Sequence, residues 1–256
     1  RFKWVPKSDS ENTVFSMLQP AVRFTKAECL DLPPVTHVTR EAPLTPQQNK
    51  YYTQLKKDMF ITAAGEEISS VNAAVNLNKL LQISGGAVYS DDKQVIEFDV
   101  ANRLSVIREV IEEASNKVLV FVPFKHTIQL LKEHLDKHKV TSEVINGDVP
   151  VKKRSQIFKA FQETPYPNVL IIQPQAASHG VTLTAADTIV WYAPVTSLET
   201  YLQANARIDR PGQTSNMTVV HISGSSVEKK LYSMLQGKLK THTKLIDLYK
   251  KEVENA

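Results

Sequence analysis

Two arginines, three residues apart, are the side chains of this sequence best suited to phosphate chemistry. Arg207 and Arg210 lie in the segment Gln203-Ala-Asn-Ala-Arg-Ile-Asp-Arg-Pro-Gly-Gln213. Residues three apart share a helix face, and the Pro-Gly pair that follows disfavours further helix. Two planar guanidinium groups at a helix end can stabilise the charge of a phosphoryl-transfer transition state. The spacing equally allows two surface arginines, one of them paired with Asp209 or Glu199.

Two further segments have the composition of ligand-binding loops. Residues 173–187 are rich in small side chains and lie between two apolar runs, so that backbone N–H groups there could approach a phosphate. Asn146-Gly147-Asp148 follows another apolar run and precedes the basic helix start Lys152-Lys153-Arg154, which could contact a nucleic-acid phosphate. A tight strand–helix loop and a solvated basic face are the respective structural alternatives.

These segments must be positioned by a sheet covered with helices. Five short runs are apolar on both faces, which is typical of buried parallel strands, and helical patterns alternate with them. The predicted strands are 117–122, 140–146, 168–173, 187–192 and 217–222, and the predicted helices are 102–115, 125–138, 150–162 and 198–208. This alternation predicts an α/β fold with a doubly wound parallel sheet, in which ligands bind where the strands end.

The chain is predicted to have three regions. Residues 1–101 carry several proline and glycine breaks, with helices predicted over 48–60, started by Thr45-Pro46, and over 68–83. Residues 102–224 hold the strand–helix alternation, and residues 225–256 form a C-terminal helix. Because the chain begins with Arg1 and shows no signal peptide, we expect it to be a fragment of a longer protein.

Composition excludes several classes of protein. The apolar runs are far shorter than the ~18 residues that span a membrane, so we expect no membrane partner. A single cysteine, Cys29, cannot form an internal disulfide. A net charge of +4, from 31 basic and 27 acidic residues, permits a polyanionic partner without requiring one.

Other candidate residues favour structural interpretations. His134 and His138 have the spacing of a metal pair but no third ligand nearby, so we expect no metal site. Tyr51-Tyr52 could stack on a base, although packing of one ring in the core is the stronger interpretation, and Trp191 is predicted to be a core residue.

Taken together, the motifs resemble the second RecA-like lobe of a superfamily-2 helicase, specifically the Swi/Snf-type DNA-translocating ATPases. Residues 203–213 match the family's motif Gln-x-x-x-Arg-x-x-Arg-x-Gly-Gln at every defining position, and residues 173–187 are similar to the motif that precedes it. Lys117–Phe121, the segment from Asn146 to Arg154, and Val227-Glu228-Lys229-Lys230 resemble further motifs in the family's order. The resemblance implies a three-layer α/β/α RecA-like sheet, preceded by an interlobe linker with a helical insertion and followed by a closing helix.

The resemblance also implies roles for individual residues. Arg207 and Arg210 would be catalytic arginine fingers that reach the γ-phosphate of ATP. The ATP cleft would include Gln203, Gly180, Gly212 and Gln213, and we expect Gly180 and the two arginines to line one open surface without ion-pair partners. The residues expected to contact DNA are Pro123, Phe124, Lys125, Asn146, Gly147, Arg154, Gln173, Pro174, Gln175 and Ser178. The sequence departs from the family where motif glycines are replaced by Ala177 and Ser178.

The sequence contains no G-x-x-x-x-G-K-[ST] loop and no Asp-Glu-x-His segment after a strand. We therefore expect ATP and magnesium to be held mainly by a first RecA-like lobe of the same polypeptide, and this fragment to be inactive alone. The expected function is translocation along duplex DNA driven by ATP. The alternatives are a non-catalytic docking module derived from a helicase lobe and an unrelated doubly wound enzyme. A bacterial or bacteriophage source is favoured, with a cytoplasmic location, or a nuclear one if the source is eukaryotic.

Overall fold

A computed structural model describes residues 5, 7–18, 29–58, 60–63, 66–69, 73–177 and 180–237. The chain divides into two compact units, residues 1–32 and 33–256. Helix α1 (Ser10–Met17) lies in the first unit, where the Thr13 hydroxyl and N–H both donate to the carbonyl of Asp9. The remaining helices and strands described below lie in the second unit.

The second unit alternates strands and helices along most of its length. Its strands are β1 (Val35–Glu41), β2 (Phe60–Ala63), β3 (Glu66–Ser69), β4 (Ala87–Tyr89), β5 (Val95–Glu97), β6 (Lys117–Phe121), β7 (Ser142–Ile145), β8 (Val169–Ile172), β9 (Ala186–Trp191) and β10 (Met217–Ser223). Its helices are α2 (Pro46–Asp58), α3 (Ala73–Gly85), α4 (Ala101–Glu113), α5 (Lys125–Lys137), α6 (Val151–Glu163), α7 (Leu198–Asn205) and α8 (Ser226–Leu235).

A six-stranded sheet with the order β1-β10-β9-β6-β8-β7 forms the centre of the second unit, and every pair in it is parallel. The predicted α/β fold and the parallel pairing of the five predicted strands are confirmed. The sequence analysis missed β1, which pairs with β10 along its whole length. Most side chains of β1 are exposed, because it is an edge strand, and it therefore lacks the apolar pattern by which the other strands are recognised.

Apolar side chains cover both faces of the sheet. Along β6, Leu119 and Phe121 pack in a cluster with residues of α6, α7 and α8, whereas Val118 and Val120 pack in a second cluster with residues of α4 and α5. The same alternation occurs along β8 and β9. Because successive side chains of a strand point to opposite faces, strands that are apolar throughout require helices on both sides.

The described residues between 46 and 98 form an insertion whose core also includes residues of helix α8. Helix α2 begins after Thr45 as predicted, and the Thr45 hydroxyl accepts the Gln48 N–H at 3.4 Å. The prediction of a helix from residue 68 is wrong at its start, because Glu66–Ser69 pairs antiparallel with β2 and helix α3 begins at Ala73. Leu55 of α2 and Leu80 of α3 pack with Leu231 of α8, which joins the insertion to the closing helix.

The predicted C-terminal helix is described as α8, and residues 238–256 of that prediction lie outside the described residues. The three-region division stays a prediction, except that β1 belongs to the sheet of the lobe rather than to the insertion. Within the described ranges, no helix is long and apolar enough to cross a membrane.

Candidate functional site

Helix α7 ends at Asn205, just before the arginine pair and short of the predicted residue 208, and it is fixed to the sheet by its buried face. Its N-terminus is capped by Ser197, whose hydroxyl oxygen accepts the Thr200 N–H at 3.2 Å. Tyr201 packs in the core, and its hydroxyl lies 2.8 Å from Nε2 of His221. At the other end, Nε1 of the fully buried Trp191 donates to Oδ1 of Asn205 at 2.9 Å. The start of the arginine segment is therefore held rigidly.

Arg207 follows this helix, and only 4% of its surface is exposed. Its carbonyl accepts the Leu183 N–H at 2.9 Å, which holds the residue against segment 180–186. The prediction that Arg207 lies on an open surface is therefore wrong, because the residue is buried and a backbone hydrogen bond holds it against segment 180–186. Nevertheless, Nε and Nη1 of the guanidinium have no hydrogen-bond partner among the described residues. Burial and then the like charge of Arg210 lower the pKa of Arg207.

Arg210 lies beside it and is half-buried. Its Nε donates to the Ala206 carbonyl at 3.0 Å, and its Nη1 donates to the Gly180 carbonyl at 2.7 Å and to Oγ1 of Thr182 at 3.3 Å. All three acceptors are neutral. Among the described residues no carboxylate forms an ion pair with either guanidinium. The structure therefore places two positive charges together. Because a buried polar group without a partner destabilises the folded state by ~1–3 kcal/mol, a bound anion that accepts from the Arg207 nitrogens would relieve this cost.

The four other residues predicted for the ATP cleft differ in their surroundings. Gly180 has a φ of +65° and Gly212 a φ of +95°; both are exposed, and a Cβ added to either would meet nothing within 4 Å. Gln203 is exposed, and its amide donates to Oε1 of Glu199 at 2.9 Å. Gln213 is buried, and its Nε2 donates to the Ala186 carbonyl at 2.9 Å. The Gln213 amide therefore ties this loop to β9 rather than facing a ligand.

The loops predicted to contact DNA meet at the carboxyl ends of β6, β7 and β8. The Gln173 N–H donates to the Ile145 carbonyl at 2.8 Å, and Oε1 of Gln173 accepts the Gly147 N–H at 3.4 Å. Lys125 Nζ lies 2.8 Å from Oδ1 of Asp148, which joins the loop after β6 to the loop after β7. These contacts bring the three loops together at one edge of the sheet.

Several of these side chains have partners within the lobe. Arg154 donates from Nε to the Val149 carbonyl at 2.7 Å and from Nη2 to the Gly147 carbonyl at 3.1 Å, so it supports the loop. Phe124 is half-buried and packs against the core of the insertion. Pro174 is buried, whereas Gln175 and Gly147 are exposed.

The remaining members of this set are less informative. Pro123 and Asn146 are half-buried, and Oδ1 of Asn146 accepts the Asp148 N–H at 3.0 Å, so that it shapes its own loop. Ser178 lies outside the described residues. Contact of any of these residues with DNA stays a prediction.

His134, His138 and Cys29 are the candidate residues outside the predicted ATP and DNA sites. The rings of His134 and His138 lie 4.3 Å apart, and burial, followed by the charges of His138, Arg108 and Lys137, lowers the pKa of His134. The described part of the chain contains no group of three or more His, Cys, Asp or Glu side chains that could hold a metal ion. Cys29 is exposed.

Sequence reasoning missed two residues that shape the arginine site. Thr182 contributes its hydroxyl to Arg210, and Asn205 anchors the end of α7 to Trp191. Neither contact has a local sequence signal, because each joins residues that are 14 or more positions apart.

Comparisons with known proteins agree with this geometry. Residues 102–212 match the model of the helicase conserved C-terminal domain. The mouse chromodomain-helicase-DNA-binding protein 1-like is 26% identical over 254 residues, which cover 94% of this chain and 28% of that protein. The chain therefore spans little more than a quarter of this relative's length.

Two solved structures share the fold. The C-terminal part of the Fun30 ATPase domain aligns with a TM-score of 0.64 at 16% identity, over 88% of this chain and 99% of that one. The Sulfolobus solfataricus SWI2/SNF2 ATPase core in complex with dsDNA aligns with a TM-score of 0.62 at 20% identity, over 96% of this chain and 54% of that one.

The parallel sheet shows a RecA-like α/β fold, and residues 102–212 of the chain match a helicase conserved C-terminal domain. The chain is similar to the C-terminal lobe of Swi/Snf-type ATPases. The bacterial or bacteriophage source stays a prediction.

Proposed function

We propose that this chain is the second motor lobe of an ATP-dependent DNA translocase, and that Arg207 and Arg210 act on the γ-phosphate of ATP held by a first lobe of the same polypeptide. The observation that carries the proposal is the buried guanidinium of Arg207, with two nitrogens that lack a partner among the described residues. Such a group binds an anion without first breaking an ion pair.

The two arginines fit a phosphate in different ways. Arg210 is held by three neutral acceptors, which fix its orientation and do not neutralise its charge. Nε and Nη1 of Arg207 are buried without a partner, so a phosphate oxygen can reach them only after the surrounding residues move, and a guanidinium can then engage phosphate through two such donors at once. Once in contact with the transferred phosphoryl group, the guanidinium groups stabilise the negative charge that develops on it.

The residues present fit a nucleotide phosphate better than a resident metal ion. The two guanidiniums are cationic, and the carboxylates that would hold magnesium are expected on the first lobe. Magnesium bound with ATP neutralises phosphate charge. The cytoplasmic or nuclear location of the protein stays a prediction.

DNA binding is proposed at the loops that follow β6, β7 and β8. The support is their common position at one edge of the sheet, together with the likeness to the SWI2/SNF2 ATPase core, whose structure is a complex with dsDNA. The ion pair between Lys125 and Asp148 is exposed, so that a phosphate could compete for the ammonium group.

The test is phosphate release with and without duplex DNA. We expect no hydrolysis by residues 1–256 alone, and DNA-stimulated hydrolysis by a protein that contains both lobes. In that protein Arg210→Ala should lower turnover by roughly 10³-fold, and Arg210→Lys should not restore it fully, because a point charge cannot replace a planar fork. Robust hydrolysis by the fragment would contradict the need for a first lobe, whereas DNA binding without any ATPase activity in the two-lobe protein would favour a docking module instead.

A further inference from the structure

Strand β7 forms an edge of the six-stranded sheet, and within the described ranges β8 is the strand that pairs with it. The carbonyls of Thr141 and Ile145 accept N–H groups from β8 and from the residue that follows it, at 3.1 and 2.8 Å. Because alternate residues of a strand turn their backbone groups toward the same neighbour, the N–H and carbonyl groups of Ser142 and Val144 face away from β8. An outer edge of this kind is the backbone pattern to which an extended peptide adds as a further strand.

A groove of about 590 Å³ lies at this edge and is lined by residues of α5, β7 and α6. Helices α5 and α6 cover opposite faces of the sheet, so a groove that both of them line crosses the edge of β7. The Ser142 side chain in the groove is 8% exposed, and its hydroxyl has no hydrogen-bond partner among the described residues. A strand bound there would give this hydroxyl a partner once the side chain rotates.

The charged side chains of the groove indicate the chemistry of the peptide. Lys132 and Asp136 of α5 form an ion pair with each other. Glu143 and Lys153 are exposed, and among the described residues neither forms an ion pair. Glu143 points to the face covered by α6, as Ile145 does, because side chains two residues apart on a strand share a face. A strand in the groove therefore meets one positive and one negative side chain on its α6 side.

Two other kinds of occupant fit the groove less well. A nucleic-acid backbone is bound by an excess of positive charge, which two lysines opposed by two carboxylates do not supply. Sites for small molecules are lined mostly by apolar side chains, whereas polar and charged residues predominate here. The open backbone edge and the balanced charges together favour an extended peptide.

We propose that β7 binds an extended peptide segment of a partner protein as a seventh strand of the sheet. The segment carries an acidic residue that pairs with Lys153 and a basic residue that pairs with Glu143. Backbone hydrogen bonds to Ser142 and Val144 supply affinity, and the two charges select the sequence of the segment. Neither arginine of the proposed ATP site lines the groove, so this binding site is independent of the proposed function.

The experiment measures by fluorescence anisotropy how a labelled peptide, Thr-Val-Glu-Val-Lys-Val-Thr-Thr, binds to a protein that contains both lobes. In this probe the glutamate and the lysine lie on one face of the extended chain. We expect saturable binding, together with slower amide hydrogen exchange in residues 142–145. Lys153→Glu should weaken the affinity about fivefold or more, because an attraction becomes a repulsion. The matched control is Lys159→Glu on the same helix, whose side chain is 73% exposed and does not line the groove, and it should bind the probe like the wild type.

Probes with N-methylated amides test the backbone contacts. Methylation of one alternate set of residues should abolish binding, whereas methylation of the other set should preserve it, because one set of N–H groups faces β7 and the other faces solvent. Four outcomes would overturn the inference: no binding of the probe, binding of both methylated probes like that of the parent, equal affinities of Lys153→Glu and Lys159→Glu, or displacement of the probe by duplex DNA. Both lysine variants should melt like the wild type, since both side chains are exposed.

Discussion

Removing either charge of the buried ion pair between Arg103 and Glu228 is expected to destabilise the lobe strongly. Nη2 of Arg103 lies 2.8 Å from Oε1 and 2.9 Å from Oε2 of Glu228, and neither residue is more than 2% exposed. Oε2 also accepts the N–H groups of Gly224 and Ser225 at 2.8 and 3.0 Å. Burial alone would lower the pKa of Arg103, but the Glu228 carboxylate and nearby groups outweigh it, and the net shift is upward.

Glu228→Gln removes the negative charge and leaves the guanidinium buried without a counter-charge. Breaking a buried pair in this way costs ~3–5 kcal/mol. For a domain of this size, that loss lowers the melting temperature by roughly 6–20 °C. The control is Glu163→Gln, because the Glu163 side chain is 60% exposed and lies 3.8 Å from Lys159. An exposed pair of this kind contributes ~1 kcal/mol or less.

The assay is thermal and urea unfolding of the two variants. The double variant Arg103→Met with Glu228→Gln should be less destabilised than Glu228→Gln alone, because it leaves no unpaired buried charge. If Glu228→Gln loses no more stability than Glu163→Gln, the buried pair does not stabilise the fold as argued.

Three further predictions concern packing, ionisation and DNA. Gly224→Ala should destabilise the lobe strongly, since its Cβ would lie 2.2 Å from the Ala42 carbonyl oxygen, whereas Gly147→Ala, with nothing within 4 Å, should unfold like the wild type in urea. Burial raises the pKa of Tyr192, Tyr201 and Tyr232, so these phenols should stay protonated in an absorbance titration at a pH where exposed tyrosines ionise. Stability should fall as pH rises above ~10, where the unfolded chain loses those protons, and ionisation of all eight tyrosines before unfolding would contradict this. DNA binding by the lobe should weaken with salt, and Lys152→Ala should reduce the slope of log affinity against log salt by ~1, whereas a salt-independent affinity would refute a phosphate contact.

The parts of the fold that the sequence predicted correctly are those with a local pattern. The five predicted strands are rich in apolar and β-branched residues, and Thr45-Pro46 has the composition of a helix start, so each was recognisable from neighbouring residues. The edge strand β1 has no such pattern, because most of its side chains are exposed.

The sequence predicted which residues form the arginine site, but it did not predict their burial or their hydrogen bonds. The spacing of Arg207 and Arg210 indicated the pair, whereas the burial of Arg207 depends on segment 180–186, which approaches only in the folded lobe. The contacts of Gln213 with β9 likewise arise from tertiary structure and have no local signal.

The most direct test of the central claim is single-turnover hydrolysis by the two-lobe protein with Arg207→Ala. The matched control is Arg108→Ala, because Arg108 lies on α4 in a surface ion pair with Glu112. The proposed role predicts that Arg207→Ala slows the chemical step by roughly 10³-fold with little change in DNA affinity, while Arg108→Ala hydrolyses ATP at the wild-type rate. A rate for Arg207→Ala equal to that of Arg108→Ala would contradict the claim that this guanidinium acts on the phosphate.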